Sequence, residues 1–435
     1  MSNSLSRRDV LQKVAGAAAI ATQARPILGA NDRVNLAVIG IGGRGTAHVN
    51  EFLKLDCYMA ALCDVNQAAQ ERAVAIVQKA KGHQPKVYSD MRKLFEDKNV
   101  DAVTIATPNH WHSLATIWAC QAGKDVYVEK PVSHNVFESK QMTAAARKYN
   151  RIVQAGTQSR STVHKMAAMK LLHEGAIGKL YMAKGLCYKR RPSIGRKPDI
   201  ATPPGIDWSF FLGPAPMRSF NENRFKYNWH WFWDTGNGDI GNQGVHEMDI
   251  ALWGLNRKTM PKNVVSTGGK MVYDDDQETP NTQIATFDCD GVELVFEVRG
   301  LISPEEGPLK ARGANIVGNI FYGSDGYLAV DSNGFWAYKG EKRELLAEGK
   351  AERGENAPHM DNFLQAVRSR KREQLNAEVA VNALASNFVH LANISYRLGR
   401  KLTWDAQKER FTGDSQADAM LTRHYRAPYI VPEKV

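Results

Sequence analysis

The feature that most constrains this chain is Gly40-Ile41-Gly42-Gly43-Arg44-Gly45, a GxGxxG pattern set between a strand and a helix. Val34 to Ile39 is an apolar run broken only by Asn35, as a buried parallel strand requires. Val49, Phe52 and Leu53 then share one helical face. In such a unit the first glycine allows the tight turn, the second leaves room for a pyrophosphate, and the third lets helix and strand pack closely. Free N–H groups and the positive dipole at the helix start face the phosphates. Asp64 closes the next apolar run, 19 residues past Gly45. A carboxylate there accepts from ribose hydroxyls and repels a 2′-phosphate, so NAD is expected over NADP.

At 435 residues the chain exceeds one compact core, and two domains are expected. Strands at Tyr58–Cys63, Ala102–Ala106, Asp125–Val128 and Ile152–Ala155 alternate with helices at Ala68–Ala80 and Ser113–Ala122. That rhythm predicts a doubly wound parallel sheet, a Rossmann domain over residues 33–155. Beyond Gly156 the rhythm changes. A helix at Val163–Leu172 and a strand at Leu180–Cys187 lead into a basic, Pro-rich loop, Lys189–Pro204. Strands follow at Val264–Tyr273, Gln283–Cys289, Val292–Val298, Ile316–Tyr322 and Tyr327–Asp331, with an Asp290-Gly291 hairpin signal. Helical faces close the chain: Met360, Phe363, Leu364 and Val367, then Val381, Leu384, Phe388, Leu391 and Leu398. Residues 156–435 are therefore expected to form an α+β domain with a largely antiparallel sheet.

The net charge of +11 is spread among acids, which suits a solvated basic surface; no motif supports a nucleic-acid partner. Cys57, Cys63, Cys120, Cys187 and Cys289 show no metal-binding spacing and are expected as buried free thiols. Residues 1–30 differ in kind. Ser6-Arg7-Arg8-Asp9-Val10-Leu11 and an Ala-rich run from Val14 to Ala21 resemble a twin-arginine export signal, with cleavage after Ala21 or Ala30. The resemblance implies passage through the twin-arginine machinery and a periplasmic or otherwise exported protein. The apolar run is too short for a membrane span, and no other stretch approaches about 20 uninterrupted apolar residues.

Ligands in doubly wound sheets lie at the carboxyl ends of strands. Thr107-Pro108-Asn109-His110-Trp111-His112 follows one strand end there, and Glu129-Lys130-Pro131 follows another. Lys130, near a cationic nicotinamide and partly desolvated, is expected to have a lowered pKa, which suits proton exchange with a substrate hydroxyl.

The glycine fingerprint, Asp64, Thr107-Pro108-Asn109 with His112, and Glu129-Lys130-Pro131 together resemble the Gfo/Idh/MocA family. The resemblance runs from about Arg33 to the C-terminus. It implies a Rossmann domain followed by an α/β domain whose open, mainly antiparallel sheet often forms subunit interfaces, hence a homo-oligomer. It implies hydride exchange at a carbinol of a sugar, polyol or sugar derivative, with Lys130 as the acid/base residue. The family's second element, an Asp followed four residues later by His, corresponds to Asn242 and His246, with Asn in place of Asp. Asn holds a hydroxyl but carries no proton at neutral pH. Lys130 and His246 remain as the titrating pair.

Helical spacing places Asn242, His246 and Asp249 on one stripe, as residues converging on substrate. Asn228-Trp229-His230-Trp231-Phe232-Trp233-Asp234 offers aromatic rings for a sugar face; if extended, Trp229, Trp231 and Trp233 share one side. Trp229, His230, Tyr188 and Arg160 complete the expected substrate contacts. Lys189, Arg190 and Arg191 are candidates for an acidic or phosphorylated sugar, and Gln158 and Arg160, just past the domain junction, are weaker ones of the same type.

Three functions fit these residues. The first is an NAD-dependent oxidoreductase. The second is a redox-neutral glycosidase, lyase or epimerase that recycles tightly bound NAD, which suits a protein exported to where free NAD is scarce. The third is a non-enzymatic dinucleotide sensor, against which Lys130 and His246 argue.

Overall fold

A computed structural model of the chain describes residues 33–351 and 356–435. The leader expected over residues 1–30 lies outside the described residues. The first sheet contains β1 (Val34–Ile39), β2 (Cys57–Cys63), β3 (Lys86–Tyr88), β4 (Ala102–Ile105), β5 (Asp125–Val128) and β6 (Val153–Ala155). Their spatial order is β3-β2-β1-β4-β5-β6, and every pairing is parallel. The order reverses between β1 and β4, which opens a crevice at their carboxyl ends. All four residues of β4 and of β5 are buried, so these strands are largely apolar without alternation, with Thr104 and Asp125 as their polar members.

The helices of this half are α1 (Gly43–Phe52), α2 (Gln67–Lys81), α3 (Met91–Glu96), α4 (Asn109–Gln121) and α5 (Val136–Lys148). α4 begins four residues before the expected Ser113, because Pro108 stands at its N-cap and presets the entry. The Thr107–His112 segment is therefore half helix, with His110, Trp111 and His112 buried in the first turn. α5 carries no apolar stripe to betray it; its buried face is Glu138, Ser139, Gln141, Met142, Ala145 and Ala146. Asn135 caps it, accepting from the Glu138 N–H at 2.9 Å.

The second sheet has ten strands: β7 (Leu180–Tyr188), β8 (Asn263–Gly269), β9 (Thr282–Asp288), β10 (Glu293–Arg299), β11 (Ile316–Gly323), β12 (Gly326–Asp331), β13 (Gly334–Lys339), β14 (Glu344–Lys350), β15 (Leu402–Asp405) and β16 (Arg410–Phe411). The order is β14-β13-β12-β11-β7-β10-β9-β8-β15-β16. Only β7 and β10 pair in parallel among these described strands. Asp290 (φ 56°) and Gly291 (φ 84°) form the expected β9–β10 turn. β8 stops at Gly269, short of Tyr273, where its pairing with β9 ends at Thr282; at Gly268 the two strands approach so closely that a Cβ would stand 2.2 Å from the Thr282 carbonyl oxygen.

One face of this sheet is covered by α6 (Val163–His173), α9 (Gly244–Gly254) and α11 (Val379–Leu398), which share its main core. Preceding α9 are α7 (Trp208–Leu212) and α8 (Gly238–Asn242). α10 (Asn356–Ser369) behaves differently: Met360, Phe363, Leu364 and Val367 pack with Leu36, Val38 and Phe52 of the first sheet. The division at residue 155 along the chain is thus not a division in space. All five cysteines are buried and free, as expected. No helix among the described residues is long and apolar enough to cross a membrane.

Candidate active site

A cavity of about 1080 Å³ lies where the carboxyl ends of β1, β2, β4 and β5 face α8 and α9. Gly40 turns at φ +81°, and a Cβ there would meet Ala106 at 2.8 Å. A Cβ at Gly45 would stand 1.7 Å from the Gly40 carbonyl oxygen, so this glycine serves helix–strand packing and not ligand contact. Gly42 and Gly43 have nothing within 4 Å of a built Cβ and line the cavity. That open cradle at the start of α1 is the space a pyrophosphate needs. Ile41 is buried, and its N–H donates to the Asp64 carboxylate, which also accepts from Asn66 N at 2.8 Å. Asp64 therefore braces the glycine turn as well as lining the cavity. Burial raises its pKa against the pull of these N–H groups. The residues present fit a dinucleotide, with Gly40, Gly42, Gly43 and Arg44 at the phosphates and Asp64 toward a ribose.

Beneath the far half of the cavity Glu129 is a buried hub. It accepts from Arg44 Nε (2.7 Å) and Gln158 Nε2 (3.1 Å), and His48 Nε2 lies 2.9 Å away. Burial favours protonation of this carboxyl, but Arg44, His48 and Lys130 outweigh it and hold its pKa well below the usual range. His112 sits between the carbonyl oxygens of Pro131 (2.7 Å) and Thr107 (2.8 Å), tying the loops after β4 and β5 together. Thr107, Pro108, Asn109 and His112 all border the cavity. Asn109 Nδ2 donates to Asn237 Oδ1 at 3.0 Å, which joins the Rossmann half to the start of α8.

Lys130 projects from the end of β5 and donates from Nζ to the main-chain carbonyl of Asn242 at 2.7 Å. Burial, with Arg44 and Lys189 nearby, lowers its pKa to about 8 against the opposing pull of Glu129 and Glu247. His246 lies on the same wall. Burial and the Lys130 charge keep its imidazole well below the ordinary pKa, and its buried Nδ1 has no hydrogen-bond partner. A titrating amine and a neutral imidazole thus border one space, next to the dinucleotide cradle.

The structure separates the expected substrate contacts. Asn242, Trp229 and His230 line the cavity; Arg160, Asp249 and Tyr188 do not. Asp249 is seven residues past Asn242, about 10 Å further along the helix axis, and is ion-paired to Arg160 (2.7 Å). Arg160 in turn stacks over Trp253. Tyr188 points to the other side of the second sheet, because alternation along β7 sends Ala183 and Cys187 to the helix-covered core. Its hydroxyl is held by Glu297 and Glu306. The aromatic segment is not extended: Asn228–Trp231 is a short 3-10 helix. Trp231 and Phe232 are buried, while Trp229 and His230 stack at 3.6 Å on the cavity wall. Arg191 grips Asp239 through two hydrogen bonds, and Arg190 reaches Tyr273, so only Lys189 of that triplet lines the cavity.

Three contributors were missed in the sequence. His48 faces Glu129 from α1; a histidine among the sheet-facing positions 45, 48, 49 and 52 was the available signal. Tyr227, beside the aromatic segment, accepts from Asn242 Nδ2 (2.9 Å) and Arg191 Nη1 (2.9 Å). Gln243 bridges Lys189 and Glu247, a relation across sequence that no local pattern encodes.

Residues 34–157 match the Gfo/Idh/MocA model described as an oxidoreductase family, NAD-binding Rossmann fold. Residues 187–302 and 333–431 match that family's C-terminal alpha/beta domain. A glycosyl hydrolase family 109 protein of Shewanella sp. (strain W3-18-1) is 30% identical over 154 residues, 34% of each chain. An alpha-N-acetylgalactosaminidase of Shewanella oneidensis is 30% identical over 152 residues, 34% of this chain and 33% of the relative. The alignments thus span about a third of those relatives' length. The WlbA dehydrogenase of Bordetella pertussis, solved with NADH and UDP-GlcNAcA, superposes with a TM-score of 0.64 at 18% identity, over 86% of this chain and 99% of that one. That likeness is one of fold.

Proposed function

The chain belongs to the Gfo/Idh/MocA family of oxidoreductases, and on that premise we propose that it exchanges a hydride with a carbinol carbon of a sugar, polyol or sugar derivative, using NAD. The observation that carries this reading is Lys130, whose amine of lowered pKa borders the cavity that the glycine turn opens. When bound, the dinucleotide supplies hydride exchange; the chain supplies position and protons. Gly42 and Gly43 leave room for the phosphates, and Asp64 faces the ribose end. Lys130 Nζ takes the hydroxyl proton in the oxidising direction and returns it in the reducing one. His246, kept neutral, borders the same space and orients the hydroxyl. The Trp229–His230 stack gives one face of the sugar an aromatic wall.

A second reading is favoured by the relatives named as glycosidases. In it the hydride returns to the same sugar after elimination, so no net reduced nucleotide appears. Export through the twin-arginine route, read from residues 1–30, belongs with this closed cycle, because a folded protein takes its cofactor along.

The test is purification without added nucleotide, followed by mixing with free sugars and with nitrophenyl glycosides. Stoichiometric reduced nicotinamide supports net oxidation; nitrophenol release without it supports the closed cycle. If neither appears with any sugar while the protein holds NAD, the hydride-exchange reading fails and the sensor reading takes its place.

A further inference from the structure

A second cavity, of about 460 Å³, adjoins the first beside His246. The two share Arg44, Gln158, Lys189, Gln243 and His246 in their walls. Its charge is one-sided: Arg44, Lys165, Lys189, Lys310 and Arg312 reach it, against only Glu247 and Asp331.

Both acids are committed elsewhere. Asp331 accepts from the N–H groups of Asn333 (2.6 Å) and Gly334 (3.1 Å) at a turn. Burial raises the Glu247 pKa to about 8, and its carboxylate accepts from Gln243 Nε2 (3.2 Å). Two of the cations are neutralised outside the cavity, Arg44 by Glu129 and Lys310 by Glu305 (2.9 Å). Lys189 instead donates to the neutral Gln243 Oε1 at 2.8 Å. Arg312 is exposed and makes no ion pair among the described residues. A concave, cationic space of this kind, beside His246, is suited to bind an anion.

We propose that this second cavity takes an anionic group of the substrate, a carboxylate or a phosphate, and that the substrate class is therefore a sugar acid or sugar phosphate and not a neutral hexose. The inference rests on the reading of the first cavity as the place of hydride exchange. An anion anchored by Lys189 and Arg312 fixes the sugar so that its carbinol lies between Lys130 and His246.

The test is calorimetric titration of the full-length, NAD-loaded protein with matched sets: glucose, glucuronate and glucose 6-phosphate, then the galactose and mannose equivalents. In at least one set an anionic member is expected to bind at least about tenfold more tightly than its neutral parent, with the advantage shrinking at high salt. Arg312→Gln, on an exposed loop where folding is not at issue, is expected to remove at least about threefold of that advantage, and Lys189→Met more. The carboxylate and phosphate arms identify which group the cavity takes. Neutral sugars that bind as tightly as both acids in every set overturn the proposal, as does a preference that survives both substitutions. If an anionic sugar binds selectively but no sugar changes the bound nicotinamide absorbance, the hydride reading fails and the anion site stands.

Discussion

The ammonium of Lys130 and the main-chain carbonyl of Asn242 are hydrogen-bonded at 2.7 Å. This contact joins the end of a Rossmann strand to a helix of the second half, so the catalytic candidate is aimed by both halves at once. Because the acceptor is a backbone oxygen, the aim does not depend on which side chain stands at position 242. The Asn where the family has Asp is therefore compatible with a placed lysine. The Asn242 side chain does something else: it donates to Tyr227 Oη and to Asp239 Oδ1 (3.3 Å).

From that arrangement, restoring Asp at 242 is expected to harm the protein. Asn242→Asp loses both donated hydrogen bonds and sets a carboxylate against Asp239. The expected cost is about 1–3 kcal/mol of stability at neutral pH, easing as pH falls and the new carboxyl protonates. Urea denaturation at several pH values measures it; equal midpoints for the two proteins would falsify the account of this side chain.

Glu129 is expected to set the pH at which Lys130 works. Its negative charge raises the Lys130 pKa, so Glu129→Gln should move the limb of the rate profile to lower pH, by about one unit. The same change leaves Arg44 without its buried partner, so stability should fall as well. A limb that stays in place, or moves upward, contradicts the electrostatic role.

The glycine turn separates two effects of adding one methyl group. Gly45→Ala forces a Cβ to within 1.7 Å of the Gly40 carbonyl oxygen, and should cost about 2 kcal/mol of stability. Gly42→Ala meets nothing within 4 Å, so the fold should be spared while NAD affinity drops at least about tenfold. Thermal melts with and without NAD distinguish the two. A Gly42→Ala protein that binds NAD normally would remove the phosphates from this cradle.

Export is proposed from the Arg7-Arg8 pair followed by the Ala-rich run from Val14 to Ala21. Replacing both arginines with Lys is expected to leave the protein in the cytoplasm, as followed by cell fractionation. Unchanged export of that variant would mean the pair is not the signal.

Much of the Rossmann half was legible because its signals are local. Gly40, Gly42 and Gly45 each meet a backbone demand within a few residues, and β4 and β5 announce burial by their largely apolar, non-alternating residues. α5 was invisible because small and polar residues fill its buried face, and Asn135 is its main local mark. β8 was overextended because Met271, Val272 and Tyr273 look strand-like, while the end of its pairing depends on the neighbouring β9. In the site, Lys130 was found from its strand-end position together with the family resemblance of Glu129-Lys130-Pro131. Asp249 misled because helical periodicity reports direction around an axis but not distance along it, and Arg160 because nothing local shows that Asp249 takes up its charge. Tyr188 misled because residue type does not say which side of a sheet a strand-end ring takes. The His48–Glu129–Gln158 network joins residues 81 and 29 positions apart, which no window along the chain contains.

The central claim is that the Lys130 amine exchanges the substrate proton. The most direct measurement is the pH dependence of single-turnover nicotinamide reduction in the NAD-loaded enzyme. Oxidation needs the neutral amine, so the rate should be low at acid pH, rise through a pKa near 8 and level off above it. Lys130→Met should lose about 10³-fold in that rate and the inflection with it, while holding NAD as before. A variant with the same rate and the same inflection as the unaltered enzyme would contradict the claim.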